Sequence, residues 1–223
     1  MFRGMALVNL SLRNYRCFAE RQDVELRPIT VVLGKNNSGK SALVRAPMIL
    51  QAGIRNDHPI PLDLEQFGDD APEFIDLVNG RNEVRGITVG LVLTGPEGRK
   101  YSLDTTIQNV PEFFSQRILE WSLRSGDDAA SYTWVLGDGR EGLEQPVFRR
   151  PDGSSVSLDF RGLVPTALPD GDGAGWFDAD GIRSSYDAIR HLGPFRFKPK
   201  RAVRLSTREP DRAISKSSGD GWV

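Results

Sequence analysis

Cysteine and histidine are scarce in this sequence, and their scarcity excludes two kinds of structural site. The 223 residues include one cysteine, Cys17, and two histidines. A single cysteine cannot form an internal disulfide, which is typical of a protein kept in a reducing cytoplasm. Because His and Cys do not cluster, a structural zinc site is not expected either.

Long apolar runs are also missing from the chain. No stretch approaches the ~20 consecutive apolar residues that a membrane-spanning helix needs. The N-terminal text alternates apolar and polar residues, whereas a secretory signal has an unbroken apolar centre. We therefore expect a cytoplasmic protein that neither spans a membrane nor carries a signal peptide.

Charge is balanced over the whole chain but unevenly placed along it. The formal net charge is −1, yet residues 190–216 hold nine Lys or Arg against two acids, a local +7 that leaves −8 elsewhere. Such a basic tail can contact a DNA backbone, dock on an acidic partner protein or simply be solvated. The acids Asp172, Asp178 and Asp180 lack the spacing of a calcium loop, and we expect them to be solvated.

The first third of the chain reads as strands and helices around a glycine-rich loop. Apolar patterning predicts strands over 6–12 and 24–33, and the second ends in a β-branched run typical of strands buried on both faces. A helix is predicted over 39–52, with a kink or an early end at Pro47. A short helix or turn follows over 72–80.

The rest of the chain changes character. Short alternating runs separated by Gly- and Asp-rich turns predict an antiparallel β-meander over 86–164, with a helix near 111–124. Residues 165–182 are predicted to form a mobile loop, and 183–223 a last core element followed by the basic tail. With a nucleotide-binding core over 1–85, this gives four segments.

The glycine-rich loop carries the clearest chemical motif. Residues 34–41, G-K-N-N-S-G-K-S, match G-x-x-x-x-G-K-[ST] between an apolar run and a helical run. In this motif the glycines let main-chain N–H groups surround phosphate, the lysine reaches the β- and γ-phosphates, and the Ser hydroxyl binds Mg²⁺. The sequence therefore predicts an ATP and Mg²⁺ site, with Ser41 on the metal and the nucleotide held by Gly34, Asn36, Asn37, Ser38, Gly39, Lys40 and Ser41.

The text around the loop resembles a known family. N-L-S-L-R-N-Y-R-C-F (9–18) followed by the loop is similar to the N-terminal half of ABC-type "AAA family ATPases" of the RecF/SMC/OLD-nuclease-like group. The stretches P-L-D-L-E-Q-F-G (61–68), F-I-D-L-V-N-G (74–80) and H-L-G-P-F-R-F-K-P-K-R (191–201) add to the likeness.

The resemblance implies a fold and several roles. The fold would be α/β: a P-loop lobe of ABC-ATPase type with a mixed sheet and an inserted β-meander subdomain, whose core would include Trp134 and Phe148. It also implies that Arg16 lies near the nucleotide, although a buried structural pairing of Arg16 fits the motif nearly as well. The biological setting implied is bacterial DNA repair or anti-phage defence.

Two parts needed for hydrolysis by this kind of ATPase are missing from the sequence. No apolar run ends in Asp-Glu to hold Mg²⁺ and activate water, and no L-S-G-G-like segment occurs. No catalytic residue is therefore assigned, and the C-terminal lobe is expected to be absent. A partner chain, or a second copy in a homodimer, would supply it, unless the chain is a truncated product.

Two other functions fit the loop. A non-catalytic scaffold could retain the loop and bind nucleotide weakly. A P-loop kinase or GTPase could also use it, but a kinase needs an arginine-rich lid, and the N-K-x-D motif that reads guanine does not occur. ATP binding is the function that the sequence favours, and whether the chain is itself an enzyme is left open.

Overall fold

A computed structural model describes residues 6–82, 84–95, 98–111, 115–135, 146–169, 172 and 176–185. Its strands are β1 (Ala6–Arg13), β2 (Gln22–Glu25), β3 (Ile87–Thr94), β4 (Lys100–Val110), β5 (Ser115–Ser125), β6 (Asp128–Trp134), β7 (Val147–Arg149), β8 (Ser155–Ser157), β9 (Phe160–Arg161) and β10 (Val164–Pro165). Its α-helices are α1 (Lys40–Ile54), α2 (Phe74–Leu77) and α3 (Ala179–Ser184), and short 3₁₀ turns span Glu65–Asp70 and Asn79–Arg81.

Eight of these strands form one sheet in the order β2-β1-β3-β4-β5-β6-β7-β8. Every pairing between them is antiparallel. The antiparallel meander predicted from the alternating text is therefore confirmed, and the fold is mixed α/β. Because β1 pairs with β3, the boundary predicted at residue 85 falls inside one sheet, and the division into four segments stays a prediction.

Strand alternation gives the sheet two different faces. Leu10, Leu91, Leu103 and Leu123 stand opposite one another in a row across β1, β3, β4 and β5, and each is 2% exposed or less. The next row, one residue along, is Ser11, Gly90, Asp104 and Ser122, on the other face. The helices and the 158–165 region contribute to the apolar core of which the leucine row is part.

The helix predicted near 111–124 is wrong, because Ser115–Ser125 is the central strand β5. Its text, S-Q-R-I-L-E-W-S-L-R-S, buries Ile118, Trp121 and Leu123. A one-residue register irregularity opposite Thr106/Ile107 lies between Ile118 and Trp121, so the three side chains are not evenly spaced by two. Because of this bulge, the buried residues of β5 do not alternate at every second position, and their spacing resembles that of a helix.

Pro47 does not end the first helix, since α1 continues to Ile54. A proline inside a helix costs about 3 kcal/mol, but the turns after it bury Ile49, Leu50 and Ile54 in the main core. Burial of such side chains contributes about 1.5–3 kcal/mol each, which outweighs that cost.

The strand predicted over 24–33 is mostly wrong. Strand β2 ends at Glu25, and the apolar run beyond it belongs to no strand. Ile29, Val31 and Leu33 are 84%, 71% and 86% exposed. The text has the composition of a buried strand, but no described strand lies beside it to cover it.

The region after β10 is attached to the sheet at defined points. Asp172 accepts hydrogen bonds from the Tyr132 hydroxyl and from Arg150 Nε, both at 2.7 Å, and its carbonyl accepts one from Trp176 Nε1. Asp178 caps α3 by accepting from the Gly181 N–H. The expectation that Asp172 and Asp178 are merely solvated is therefore wrong.

Two predicted features of the meander can be placed. Phe148 is buried in the main core, and its register partner Trp134 packs half-buried against that core, as predicted.

The basic tail and the 191–201 text lie outside the described residues. No helix in the described part of the chain has both the length and the apolar character needed to cross a bilayer.

Candidate nucleotide-binding site

The glycine-rich loop lies between the exposed apolar run and the first turn of α1. Asn37 and Gly39 both adopt left-handed backbone conformations, with φ of 63° and 88°. Gly39 is the residue immediately before the helix, and no side chain caps that end of α1. The helix therefore begins with free N–H groups and the positive end of its dipole, which together favour an anion.

Gly39 is required here for two reasons. Its positive φ is a conformation that other residues adopt at a cost. In addition, a Cβ at this position would lie 2.4 Å from Cys17 Sγ and 2.9 Å from Cζ of Phe18. The turn that contains Cys17 and Phe18 is thus packed directly against the main chain of the loop.

Lys40 is folded back over the loop. Its Nζ donates hydrogen bonds to the carbonyl oxygens of Gly34 at 2.7 Å and of Lys35 at 2.5 Å. Both acceptors are neutral, so no carboxylate holds the ammonium group in place. Neither bond neutralises the positive charge of Lys40, which therefore remains available to a phosphate, as the predicted role requires.

Ser41 is exposed at the first turn of α1. Its hydroxyl can provide one oxygen ligand to Mg²⁺, which keeps several waters and takes other ligands from substrate phosphates. Among the residues described, no group of three or more His, Cys, Asp or Glu could hold a metal without such help. The residues present thus fit a Mg²⁺ ion that binds together with a nucleotide and takes the Ser41 hydroxyl as its ligand from the protein.

The turn before β2 is built on an anchored main chain. Arg16 has φ of 50°, its N–H donates to the Leu77 carbonyl at 2.7 Å, and its carbonyl accepts from Asn79 Nδ2 at 2.6 Å. Tyr15 forms isolated β-bridges with Phe18 and with Val78. Strand β1 and α2 are thereby joined at the point where the turn touches Gly39.

The Arg16 side chain lies beside Tyr15, with its guanidinium carbon 6.0 Å from the ring centroid. Burial raises the pKa of Tyr15, and the neighbouring positive charge of Arg16 opposes that shift. Among the residues that the structure describes, the buried Nε of Arg16 has no hydrogen-bond partner. Both roles predicted for Arg16 stay open: it sits next to the loop-contacting Cys17, and it also packs on a buried ring.

The surroundings of the loop are cationic. The sequence contains no Asp or Glu from residue 26 to residue 56 but five Lys or Arg. Within the described part of the chain, no carboxylate forms an ion pair with Lys35, Lys40 or Arg45. A polyphosphate approaching this region meets a positive field.

Motif spacing located the loop but not its neighbours. The sequence did not indicate that Cys17 and Phe18 would touch Gly39. The N-Y-R-C-F sequence indicated a family resemblance only. Its contact with the loop depends on the 15–18 turn, in which Arg16, like Asn14 just before it, is left-handed; because neither residue is a glycine, the sequence gives no sign of this turn. The assignment of loop residues to nucleotide and metal stays a prediction.

Comparison with known proteins bears on the N-terminal third of the chain. Residues 5–77 match the family model described as AAA ATPase domain. No curated protein matches the chain. The matched segment contains the 15–18 turn, the glycine-rich loop, α1 and α2. The resemblance seen in the sequence is therefore confirmed for this segment: residues 5–77 are similar to an AAA ATPase domain, which is consistent with the N-terminal part of an AAA-family ATPase.

Proposed function

We propose that the chain binds ATP with Mg²⁺ at residues 34–41 as the ATP-binding part of a composite ABC-type ATPase. One observation carries the proposal: a loop with the G-x-x-x-x-G-K-S pattern leads directly into the uncapped start of a 15-residue helix, inside the segment that matches the AAA ATPase domain. The lysine of that loop already lies over it, and within the described residues no acid forms an ion pair with Lys35, Lys40 or Arg45.

Hydrolysis needs carboxylates that hold Mg²⁺ and activate water. The sequence has no apolar run that ends in Asp-Glu and no L-S-G-G-like segment. We propose that another polypeptide supplies these groups, and that the setting is bacterial DNA repair or anti-phage defence. A homodimer is the alternative source of the second half of the site.

ATP affinity in the presence and absence of Mg²⁺ tests the proposal. Lys40→Ala removes the lysine that the motif pattern itself specifies. A charged hydrogen bond contributes about 1.5–3 kcal/mol, so affinity for MgATP should fall about 10- to 100-fold by calorimetric titration. Lys100→Ala is the matched control, because Lys100 is an exposed lysine at the start of β4 and should not affect affinity.

Two results would contradict ATP binding. One is a wild-type protein without Mg²⁺-dependent affinity for ATP, and the other is a Lys40→Ala variant that binds as tightly as the wild type. Weak binding that Lys40→Ala leaves unchanged would favour the scaffold function instead. Steady turnover by the purified monomer would refute the composite arrangement while leaving ATP binding in place.

A further inference from the structure

A groove lies where β6 and β7 meet the turn that leads into β8, and its volume is about 410 Å³. Its lining includes four residues with polar side chains, Ser131, Thr133, Arg149 and Arg150, and three with apolar side chains. Small-molecule sites have volumes of roughly 300–1,000 Å³ and combine apolar walls with a few polar groups. The groove therefore has the size and the lining of a site for a small organic ligand.

This groove is separate from the nucleotide loop. The 15–18 turn that touches the loop follows β1, and β6 is four strands away from β1 in the sheet order. Neighbouring strands lie about 4.8 Å apart, so roughly 19 Å of sheet separates the two strands. None of the described residues that line the groove belongs to the segment 5–77 that matches the ATPase domain. A ligand in the groove therefore occupies a second site.

Arg149 supplies the groove with a guanidinium group that is available to an anion. Its side chain is exposed and stands opposite Thr133, whose other register partner is Glu120. The Glu120 carboxylate accepts a hydrogen bond from Thr106 Oγ1 on the next strand, on the side away from Arg149. Over the part of the chain that the structure describes, no acid forms an ion pair with Arg149.

Arg150 supplies a second guanidinium group, which is held in a fixed orientation. Its Nε donates to Asp172 at 2.7 Å, and its Nη1 donates to Ser154 Oγ at 3.3 Å. The acid of the same turn, Asp152, accepts from both the N–H and the hydroxyl of Ser154. Because arginine has five N–H donors in a planar fork, these two bonds leave donors for a ligand in the groove.

We propose that the groove binds a small organic phosphomonoester, with its phosphate on Arg149 and Arg150. Arginine recognises phosphate through pairs of parallel hydrogen bonds. A phosphomonoester has three strong acceptor oxygens, whereas a carboxylate has two, and two guanidinium groups with the hydroxyls of Ser131 and Thr133 can serve all three. The apolar lining residues suit the organic body of such a ligand. This inference does not depend on ATP binding by the loop.

Phenyl phosphate is the probe that tests the groove. It is titrated into isotope-labelled Lys40→Ala protein, so that the nucleotide loop does not compete for phosphate, and binding is followed by the amide resonances in NMR spectra. The resonances of residues 131–134, 149 and 150 should shift together and reach saturation. Benzoate and inorganic phosphate should each bind at least about fivefold more weakly, because one lacks the third oxygen and the other lacks the apolar body.

Arg149→Gln, made in the same Lys40→Ala background, removes the available guanidinium group. The affinity for phenyl phosphate should then fall at least about tenfold, which is the effect of losing a charged hydrogen bond. Arg124→Gln is the matched control, since Arg124 is an exposed arginine on the neighbouring strand β5 and is not among the lining residues. Both substitutions should leave the urea midpoint of unfolding unchanged, because both side chains are exposed.

The proposal is overturned if the groove resonances do not respond to phenyl phosphate, if Arg149→Gln leaves the affinity unchanged, or if benzoate or inorganic phosphate binds as tightly. It is also overturned if a phosphoserine peptide or a 5′-phosphorylated oligonucleotide binds the groove more than about tenfold more tightly than phenyl phosphate, because the ligand is then a macromolecule. Failure of ATP binding is a separate result: Arg149→Gln alone should keep MgATP affinity, whereas Lys40→Ala should lose it and keep phenyl phosphate.

Discussion

Gly39 shows how one residue connects the family motif to the rest of the fold. Two features exclude a Cβ at this position: the φ of 88°, and the Cys17 sulfur, which would lie 2.4 Å from the added atom. Backbone strain alone costs about 1–2 kcal/mol when a Cβ is added in the left-handed region. The contact adds to this cost, because Cys17 sits on a turn whose main chain is tied to α2.

Gly39→Ala should therefore reduce the free energy of unfolding by more than strain alone, about 2–4 kcal/mol, and should weaken MgATP binding. Gly126→Ala is the matched control, since Gly126 has φ of 66° but nothing within 4 Å of an added Cβ. The free energies of unfolding in urea of the two glycine variants separate the backbone strain from the cost of the contact with Cys17. Adding Cys17→Ala to Gly39→Ala should recover part of the loss, and equal effects of the two glycine variants would disprove the role of the contact.

At the scale of elements, α1 is held to the sheet through the β9–β10 hairpin. The Leu163 N–H donates to the Gly53 carbonyl at 3.0 Å, and Trp121 Nε1 donates to the Leu163 carbonyl at 3.0 Å. A Cβ at Gly162 would lie 1.7 Å from the Gly53 carbonyl oxygen. The helix that follows the nucleotide loop is thus fixed at its far end to the turn between β9 and β10.

Gly162→Ala should be among the most destabilising single substitutions in the chain, because neither backbone can move away without breaking the Leu163 bond. We expect a loss of more than about 4 kcal/mol in unfolding free energy by chemical denaturation. Gly153→Ala is the control, since Gly153 has φ of 86° in a hairpin turn with open space around it. A Gly162→Ala protein as stable as Gly153→Ala would contradict this close approach.

Local patterns predicted those elements whose neighbours are close in sequence. The meander follows from alternating runs and tight turns, and the loop follows from a motif of eight residues. The β5 strand was missed because its bulge shifts the period between Ile118 and Trp121. The end of β2 was missed because apolar residues such as Val31 and Leu33 are typical of a buried strand, whereas the described residues leave both of them exposed. The Cys17 contact was missed because it joins positions whose proximity depends on a turn without a glycine signal.

At the scale of the whole molecule, side-chain hydrogen bonds join parts of the chain that are distant in sequence. One of them joins the C-terminal part of the described chain to the sheet, where Asp172 accepts from Tyr132 and from Arg150. Burial by itself raises the pKa of Asp172, but the two hydrogen bonds and the charge of Arg150 outweigh it, and its pKa lies below the usual value. Burial, together with the hydrogen bond to Asp172, raises the pKa of Tyr132.

The lowered pKa makes this attachment sensitive to acid. A group whose pKa falls on folding stabilises the folded state above its unfolded pKa of about 3.9, and that contribution is lost as pH falls through the folded value. Asp172→Asn should therefore lower the free energy of unfolding by about 1.5–3 kcal/mol at pH 7, and the difference from the wild type should shrink below about pH 4. Urea titrations from pH 7 to pH 2.5 measure this difference in unfolding free energy.

Asp128→Asn serves as the control, because its pair with Arg99 is about half exposed and contributes at most about 1 kcal/mol. A difference for Asp172→Asn that stays constant down to pH 2.5 would show that the ionised carboxylate does not hold the two parts together.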